Sequence, residues 1–302
     1  MVVDVGTTAA SVSNGSGLWP LRRSYCAPAL TIRRREFRWG TRTFVMGIIN
    51  VTPDSFSGDG TGGDPGTAAA LAQRMEVEGA DLLDIGAESS RPGARLVTPE
   101  EELARLLPSL EAVRAVSDLP ISVDTYHAQV AEVALAHGAD WVNDILGFRG
   151  DGAMAGVVAA AGAAAVVMHN QRGREHRDVA ADIRAGLGQS LEIAAAAGVP
   201  ASRLVGDPGF GFGWEAEQNL ELLRRLPELW ELGLPLLVGT SRKSTIGVVL
   251  DVATEERMEG TAATVAVAIA GGADIVRVHD VGAMSRVARM TDAIVRGNQE
   301  GP

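Results

Sequence analysis

The stretch Glu-Gly-Ala-Asp-Leu-Leu-Asp-Ile-Gly (78–86) joins the end of one predicted helix to a short apolar run typical of a buried strand. The same Gly-Ala-Asp junction recurs at 138–140 and 272–274, each time between an alanine-rich stretch of helical period and an apolar run. Glycine suits the left-handed residue that closes a helix. Strands that alternate with helices of ten or more residues pair in parallel. The junctions therefore predict a repeated helix–strand unit.

Outward from these junctions, eight strand–helix units can be placed along the chain. The strand candidates are 44–50, 81–86, 120–124, 140–144, 163–168, 203–207, 235–239 and 273–279. The helix candidates lie near 66–78, 99–116, 127–137, 151–161, 180–197, 215–230, 254–271 and 282–296. Eight such units predict an α/β protein with a single closed (β/α)8 TIM barrel. An open doubly wound sheet is the alternative, and no Gly-x-Gly-x-x-Gly follows an early strand to support it.

Composition excludes several classes of partner. The net charge of −11 argues against nucleic acid, whose backbone requires a basic protein face. The sequence contains no apolar run of 18 residues, which argues against a membrane span. Cys26 is the only cysteine, so no intrachain disulfide can form, and a reducing, cytoplasmic location is expected.

The barrel domain is expected to cover residues 29–298, preceded by a loosely ordered extension over 1–28. The extension is small and polar, and it lacks the basic-then-apolar order of a secretory signal. A transit peptide remains the alternative interpretation of this segment.

Polar side chains stand at or next to the carboxyl end of every predicted strand. In a TIM barrel these ends form one rim, where the chemistry takes place. A helix cap or a solvated loop residue is the simpler interpretation of any single case, but eight coinciding cases predict a rim that binds a polar ligand. These residues are Asn50, Asp84, Asp124, Asn143, Met168 with His169, Asp207, Ser241 to Lys243, and Arg277 with His279.

The rim residues divide into two chemical groups. The carboxylates Asp124 and Asp207, with Asp84 as a third candidate, and the amide of Asn143 suit a heterocycle edge that carries amino, imino and carbonyl groups. Arg277 and His279 stand at positions i and i+2 of one strand and therefore point to the same face, which suits a phosphate or diphosphate. The alternative for this second group is an ion pair with a neighbouring acid such as Asp280.

Lys243 is the only lysine in the chain, since the other 26 basic residues are all arginine. A genome biased toward arginine codons explains the rest of the chain but leaves this one lysine to be explained. A lysine ammonium is compact and can lose its proton, whereas a guanidinium is a rigid fork that stays charged. The sequence therefore predicts that Lys243 contacts the substrate.

In order along residues 44–295, the chain resembles dihydropteroate synthases of the pterin-binding enzyme family. The matching segments are MGIINVTPDSFSGDG (46–60), DIGAESSRPGA (84–94), ISVDT (121–125), VNDI (142–145), VMHNQRG (167–173), DPGFGFG (207–213), GTSRKS (239–244) and RVHD (277–280). One departure concerns the first loop, where Gly58 intervenes, so that Asp59 is displaced by one position or the usual aspartate is absent. Another is Trp214, which stands where many members have lysine.

The resemblance implies a role for each matching residue. It implies that Asn50 coordinates Mg²⁺ together with the diphosphate, and that loops 51–60 and 87–97 close over the reactants. The implied pterin-binding residues are Asp124, Asn143, Asp207 and Lys243. Asp84, Met168, Gly239 and Ser241 are further candidates for substrate binding. The implied diphosphate-binding residues are Ser90, Arg277 and His279. The implied p-aminobenzoate side, where sulfonamides compete in the family, is formed by Ser90, Arg91, Pro92, Phe212 and Ser244. The candidate catalytic residues are Lys243, Arg277, His279 and Asp59.

The activity implied is the SN1-like condensation of a dihydropterin diphosphate with p-aminobenzoate in folate biosynthesis, with a homodimer as the usual assembly. Two alternatives remain open. A methyltetrahydrofolate:corrinoid methyltransferase shares the pterin pocket but has no need of the Ser-Arg-Lys turn. A pterin-binding paralogue without catalytic activity is supported only by the change in the first loop.

Overall fold

The computed structural model describes residues 27–52, 61–89 and 95–297. The strands are β1 Leu30–Ile32, β2 Arg35–Phe37, β3 Phe44–Asn50, β4 Leu82–Gly86, β5 Ile121–Asp124, β6 Trp141–Asp144, β7 Ala164–Met168, β8 Leu204–Asp207, β9 Leu237–Val238 and β10 Ile275–Val278. The α-helices are α1 Pro65–Glu78, α2 Pro99–Val116, α3 Ala128–Ala136, α4 Met154–Ala161, α5 Val179–Ala196, α6 Ala216–Arg224, α7 Ser244–Leu250, α8 Met258–Ala270 and α9 Val281–Arg296. Within these described ranges, no helix has the length and apolar character needed to cross a membrane.

Strands β3 to β10 form one parallel sheet in the order β8-β7-β6-β5-β4-β3-β10-β9. The two edges meet where Gly206 of β8 bridges Leu236 and donates its backbone N–H to the carbonyl of Pro235 at 2.9 Å. This contact closes the sheet into a barrel with the helices outside. The predicted TIM barrel is therefore confirmed, and the alternative of an open sheet is wrong.

The element boundaries differ from the prediction at a few positions. The helix predicted over 215–230 ends at Arg224, and a 3-10 helix, Leu226–Leu232, follows it. Pro227 has no N–H for an α-helical hydrogen bond, which accounts for the interruption. Helix α7 and the hairpin formed by β1 and β2 were not predicted. The hairpin lies within residues 29–298, the predicted bounds of the barrel domain.

The hairpin closes the amino-terminal end of the barrel. Its side chain Phe37 lies 4.9 Å from the Phe44 ring and 5.6 Å from the Trp141 ring, measured between centroids. Alternate side chains of the barrel strands complete the same apolar cluster, which includes Leu30, Ile32, Trp39, Met46, Leu82, Val166, Val205, Leu237 and Ile275. Since apolar side chains fill this end, a ligand can enter the barrel only from the carboxyl ends of the strands.

The three Gly-Ala-Asp junctions share one structural role. Their glycines are left-handed, with φ of 102°, 100° and 96° at positions 79, 138 and 272, as the sequence predicted. Each aspartate forms two hydrogen bonds with the backbone of one partner residue, which lies in the preceding strand or just before it. The backbone N–H of the aspartate donates to the carbonyl oxygen of the partner, and the aspartate carboxylate accepts the N–H of the partner. The pairs are Asp81 with Val45, Asp140 with Ile121 and Asp274 with Leu236, with carboxylate distances of 2.9, 3.0 and 3.1 Å. The junctions therefore fix neighbouring strands in register.

Asp274→Ala is expected to lower the free energy of unfolding by about 2 to 6 kcal/mol, because each of two buried donors that lose their acceptor costs about 1 to 3 kcal/mol. The carboxylate is buried and accepts the backbone N–H groups of Gly40 and Leu236 at 2.8 and 3.1 Å. Urea denaturation followed by circular dichroism would measure the loss, with Asp118→Ala as a control on an exposed aspartate. Equal midpoints for the two variants would contradict this role.

Candidate active site

The carboxyl ends of the strands bring most of the predicted rim residues to one place. Asn50 pairs in register with Gly86, Gly86 with Asp124, and Asp124 with Asn143, so these residues lie at one level of the barrel. A Cβ built on Gly86 would lie 3.9 Å from Asn50 Oδ1 and 3.8 Å from Asp124 Oδ2. The two oxygen atoms therefore flank the same glycine.

A buried ion-pair network joins four strands at the centre of this rim. Asp84 is fully buried, and its Oδ2 accepts from Arg277 Nε at 2.6 Å and from Asn143 Nδ2 at 3.1 Å. Arg277 Nη2 donates to Asp124 Oδ2 at 2.7 Å. One guanidinium on β10 thus binds carboxylates on β4 and β5. The alternative interpretation of Arg277, an ion pair with an acid such as Asp280, is right about the ion pair and wrong about the partner. Arg277 pairs with Asp84 and Asp124, and Asp280 pairs with Arg242.

Burial changes the acidity of the rim carboxylates. It raises the pKa of Asp124 to about 7, an effect that Arg277 opposes and that the neighbouring acids Asp84 and Glu102 reinforce. Burial also raises the pKa of Asp207, against the opposing charge of Lys243. Carboxylates held out of water in this way bind N–H donors of a ligand strongly.

Lys243 lies on the other side of the rim, at the residue before α7. Its Nζ donates to the carbonyl oxygen of Phe210 and lies 4.5 Å from the centroid of the Phe212 ring. Burial lowers the pKa of its ammonium to about 8, although Asp207 acts in the opposite direction. At neutral pH the group is therefore a partly buried cation that can release its proton within the physiological range.

The loop after β8 reaches Lys243 because its glycines permit close approach, as the sequence indicated. Gly209 has a φ of 77°, and a Cβ there would lie 1.9 Å from the carbonyl oxygen of His169. Gly211 has a φ of 81°, and a Cβ there would lie 2.7 Å from Lys243 Cδ. A side chain at either position would displace the loop or the ammonium.

An apolar patch lies beside the polar groups. Met168 and Phe212 are buried and pack with Ile145. Arg172 places its guanidinium 4.7 Å from the centroid of the Phe212 ring. Trp214 is also buried, between His169 and His176 at centroid distances of 5.7 and 5.6 Å, so its replacement of the usual lysine fills space beneath this loop.

His279 and Arg277 bind different partners, although they stand on the same face. Ser241 Oγ lies 3.0 Å from His279 Nδ1 and accepts the backbone N–H of His279 at 3.2 Å. Gly239 is next to Arg277, since a Cβ on it would lie 3.6 Å from Arg277 Cβ. Ser244 is exposed at the first residue of α7.

Four of the predicted site residues lie outside the described residues: Asp59, Ser90, Arg91 and Pro92. The same holds for most of the 51–60 loop and for part of the 87–97 loop. Their predicted roles therefore stay predictions.

Sequence reasoning missed one polar cluster on the outer side of the rim. Donor atoms of Glu88, Glu102 and His127 lie within 4.8 Å of one another, the one group among the described residues with such convergence. His127 Nδ1 is 2.7 Å from Glu102 Oε2, and Glu88 Oε1 accepts from Tyr126 Oη at 2.9 Å. Such a cluster could hold a metal ion, but it does not include Asn50. Glu88 follows β4, Glu102 lies in the first turn of α2 and His127 precedes α3, so no sequence motif joins them.

Known proteins resemble the chain over nearly its whole length. Residues 46–279 match the family model for pterin binding enzymes. A dihydropteroate synthase from Clostridium beijerinckii is 46% identical over 268 residues, which make up 88% of this chain and 100% of that protein. A structure of dihydropteroate synthase from Clostridium difficile, in the presence of pteroic acid, has a TM-score of 0.82 and 48% identity and covers 86% of this chain and 99% of that one. The Xanthomonas albilineans dihydropteroate synthase with 4-aminobenzoic acid has a TM-score of 0.82 and 40% identity, with coverages of 91% and 100%.

Proposed function

The chain belongs to the pterin-binding enzyme family, and we infer that it catalyses the dihydropteroate synthase reaction of folate biosynthesis. In this reaction (7,8-dihydropterin-6-yl)methyl diphosphate and p-aminobenzoate give 7,8-dihydropteroate and pyrophosphate. The observation that carries the inference is the rim itself: buried acids, an amide and a lone lysine converge from separate strands on one site. Relatives that share nearly the full length of this chain bear the name of this enzyme.

The pterin ring is assigned to the acidic side of the rim. Carboxylates of Asp124 and Asp207 suit the paired N–H donors of a 2-amino-4-oxo pterin. Asp84 takes one N–H of Asn143, which orients that amide and leaves its carbonyl oxygen as an acceptor for a ring N–H. The Lys243 ammonium supplies the donor for a ring carbonyl or nitrogen. Met168 supplies an apolar surface for the ring face.

The diphosphate is assigned to Arg277, His279 and Ser90. The family implies Mg²⁺ at this end, with Asn50 as its ligand, and the residue fits, because the side-chain oxygen of Asn50 is a hard donor at the carboxyl end of β3, beside Gly86. Bound there, Mg²⁺ would neutralise charge on the leaving diphosphate. Asp59 is assigned to the same reaction centre.

The course of the reaction is inferred from this arrangement, with acids at the pterin ring and cations at the diphosphate. The bond between the pterin methylene carbon and the diphosphate oxygen breaks, and its electron pair leaves with the pyrophosphate. Arg277 and His279 stabilise the charge that grows on that oxygen. The amine nitrogen of p-aminobenzoate then bonds to the methylene carbon and releases one proton to solvent. Ser90, Arg91, Pro92, Phe212 and Ser244, with Gly239 and Ser241 nearby, are assigned to the p-aminobenzoate side, and loops 51–60 and 87–97 to the exclusion of water.

The direct test is incubation of the protein with dihydropterin diphosphate, p-aminobenzoate and Mg²⁺. Stoichiometric dihydropteroate and pyrophosphate are the expected products, and a sulfonamide is expected to compete with p-aminobenzoate. Binding of the pterin without pyrophosphate release would favour a paralogue without catalytic activity. A cobalamin requirement would favour the methyltransferase alternative.

The pH dependence of kcat/KM is expected to be bell-shaped, with limbs near 7 and 8. As the pH falls through about 7, Asp124 gains a proton and can no longer accept two pterin donors. As the pH rises through about 8, the Lys243 ammonium loses the proton that it donates. Initial rates of pyrophosphate release measured from about pH 5 to about pH 10 would test both limbs. A flat profile across this range would contradict the assignment of Lys243.

A homodimer is proposed as the assembly, through an apolar surface on α7, α8 and α9. This apolar surface comprises Val248, Val249, Leu250, Val267, Met290 and Ile294, all exposed. Exposed apolar side chains grouped on neighbouring helices are typical of interaction sites. The double variant Met290→Glu, Ile294→Glu is expected to shift the protein from dimer to monomer in sedimentation velocity. Val77→Glu, on an exposed valine of α1, is the matched control, and an unchanged dimer in the double variant would contradict the proposed interface.

The remaining proposals concern location and domain limits. We propose the cytoplasm as the compartment, on the basis of the single cysteine and of a substrate pair that belongs to folate biosynthesis. The catalytic domain is proposed to cover 29–298, and residues 1–28 to form an extension; of these, 1–26 lie outside the described residues.

A further inference from the structure

Side-chain pairs continue the register of the last two barrel strands beyond the point where β9 ends. Strand β9 has only two residues, which pair with β10 as Leu237 with Ile275 and Val238 with Val276. The next contacts between these two segments are Ser241 with His279 and Arg242 with Asp280, both with a sequence separation of 38 residues. The backbone pairs have the same separation, so the side chains hold the two loops in the alignment of the strands.

Arg242 forms hydrogen bonds to the rest of the protein through both its side chain and its backbone. Its guanidinium donates to Asp280 twice, from Nε at 3.0 Å and from Nη2 at 2.7 Å. Its backbone N–H donates to Thr261 Oγ1 at 3.1 Å, and its carbonyl oxygen accepts from Arg257 Nη1 at 2.9 Å. Both side chains of the ion pair are largely shielded, with exposed fractions of 18% and 20%. A bidentate pair between shielded partners fixes distance and orientation together.

The backbone of Arg242 is left-handed, with a φ of 56°. A non-glycine residue adopts this conformation at a cost in free energy, so surrounding contacts must hold it. The residues on either side are Ser241, which binds His279, and Lys243, whose ammonium reaches Phe210. The direction in which the chain leaves Arg242 therefore determines where Lys243 stands relative to His279.

We propose that the Arg242–Asp280 ion pair is a positioning element, which holds Lys243 and His279 at the separation that the reaction requires. The inference rests on the proposed function, in which Lys243 binds the pterin ring and His279 the diphosphate. Neither Arg242 nor Asp280 contacts the substrate in this assignment. The pair acts on the alignment of the pterin with its leaving group, so its loss lowers turnover more than binding.

Lysine NMR offers a readout of this alignment that does not require activity. Because Lys243 is the only lysine, a chain labelled with ¹³Cε-lysine gives a single side-chain signal whose titration reports the pKa of this one ammonium. Asp207 and Asp124 raise that pKa, while burial, Arg277 and Arg172 lower it. If the turn relaxes, the ammonium becomes more exposed and its pKa returns toward the usual lysine value.

The experiment compares Arg242→Gln with Arg42→Gln in the otherwise unchanged protein. Arg42 forms a similar bidentate pair with Asp81, at 2.9 and 2.6 Å, at the opposite end of the barrel. For Arg242→Gln we expect kcat to fall by about 10- to 100-fold, as a misplacement of about 1 Å would cause. The KM of each substrate should stay within about threefold, and the Lys243 pKa should rise. Arg42→Gln should change none of these.

Asp280→Asn should reproduce the effect of Arg242→Gln, and the double variant should be no worse than either single variant, since all three remove one interaction. An unchanged Lys243 signal in Arg242→Gln, additive effects in the double variant, or a selective rise in the KM for p-aminobenzoate would each overturn the proposal. If the unaltered protein releases no pyrophosphate, the proposed function fails, and the NMR signal alone decides whether the ion pair positions Lys243.

Discussion

Lys243→Arg is expected to lower kcat/KM by about 10- to 150-fold, although the positive charge is retained. A hydrogen bond to a charged group contributes about 1.5 to 3 kcal/mol, and each 1.4 kcal/mol corresponds to about a factor of ten. The variant loses this contribution because the guanidinium cannot occupy the place of the ammonium. Pyrophosphate release measured at several concentrations of each substrate would give the value.

The structural reason is the space around the ammonium. Lys243 Nζ is buried against the carbonyl oxygen of Phe210 and lies 4.5 Å from the centroid of the Phe212 ring. Gly211 already lacks room for a Cβ, which would lie 2.7 Å from Lys243 Cδ. A planar guanidinium is larger and needs donors in a fixed fork, so it would displace the glycine loop or turn away from the pterin. It also stays charged at alkaline pH, so the limb near 8 should disappear from any residual activity.

A control variant must show that an exchange between lysine and arginine elsewhere in the protein does not lower activity. Arg74→Lys makes the reverse exchange on α1, where the side chain is 65% exposed and pairs with Glu78 four residues on. Its activity should equal that of the unaltered protein. If Lys243→Arg were as active as the unaltered protein, Lys243 would not bind the substrate as assigned. The strongest single inference from the sequence would then be wrong.

Much of the fold could be predicted from the sequence, because helix-capping residues and the pattern of apolar residues indicate the same elements. The prediction placed β3 at 44–50 and α2 at 99–116, the bounds that the structure has. Pro99 begins α2, and Thr98 caps it by accepting the Glu101 N–H at 3.3 Å. The two-residue strand β9 was predicted as 235–239, since an apolar run shows where a strand can form but not where its partner ends.

Elements stabilised by distant contacts could not be predicted. Helix α7 has seven residues, two of them exposed valines, and it begins two residues after the left-handed Arg242. The β1–β2 hairpin has three-residue strands and is held by packing against Phe44 and Trp141.

Within the site, convergence of the rim residues followed from barrel topology, but partner choice did not. Asp280 lies three residues after Arg277, just beyond the end of β10, and was the acid considered as its partner, yet it pairs with Arg242, 38 residues earlier. Arg277 instead reaches Asp84, 193 residues earlier in the sequence. Which acid a given arginine meets depends on side-chain directions around the closed barrel, and a linear pattern does not contain that information.

Arg277→Met is expected to reduce both stability and activity, and the two losses can be separated. Removal of one partner from a buried ion pair costs about 3 to 5 kcal/mol, because the remaining charge is left buried. Asp84 is fully buried, and Arg277 Nε is the cation that it binds, at 2.6 Å. Activity should fall by about 100- to 1,000-fold, the usual effect of removing one donor from a developing anion. Urea denaturation and pyrophosphate release would measure the two effects on the same preparation.

The double variant Arg277→Met, Asp84→Asn distinguishes structure from chemistry. The neutral amide removes the buried charge and can still accept a hydrogen bond from Asn143, so most of the lost stability should return. Activity should not return, because the cation that stabilises the leaving diphosphate is still missing. Recovery of activity together with stability would mean that Arg277 only neutralises Asp84. Failure to recover stability would mean that Asp124, at 2.7 Å from the guanidinium, dominates the energetics of the pair. The contribution of Arg277 to folding and its proposed contribution to stabilising the departing diphosphate can therefore be measured independently.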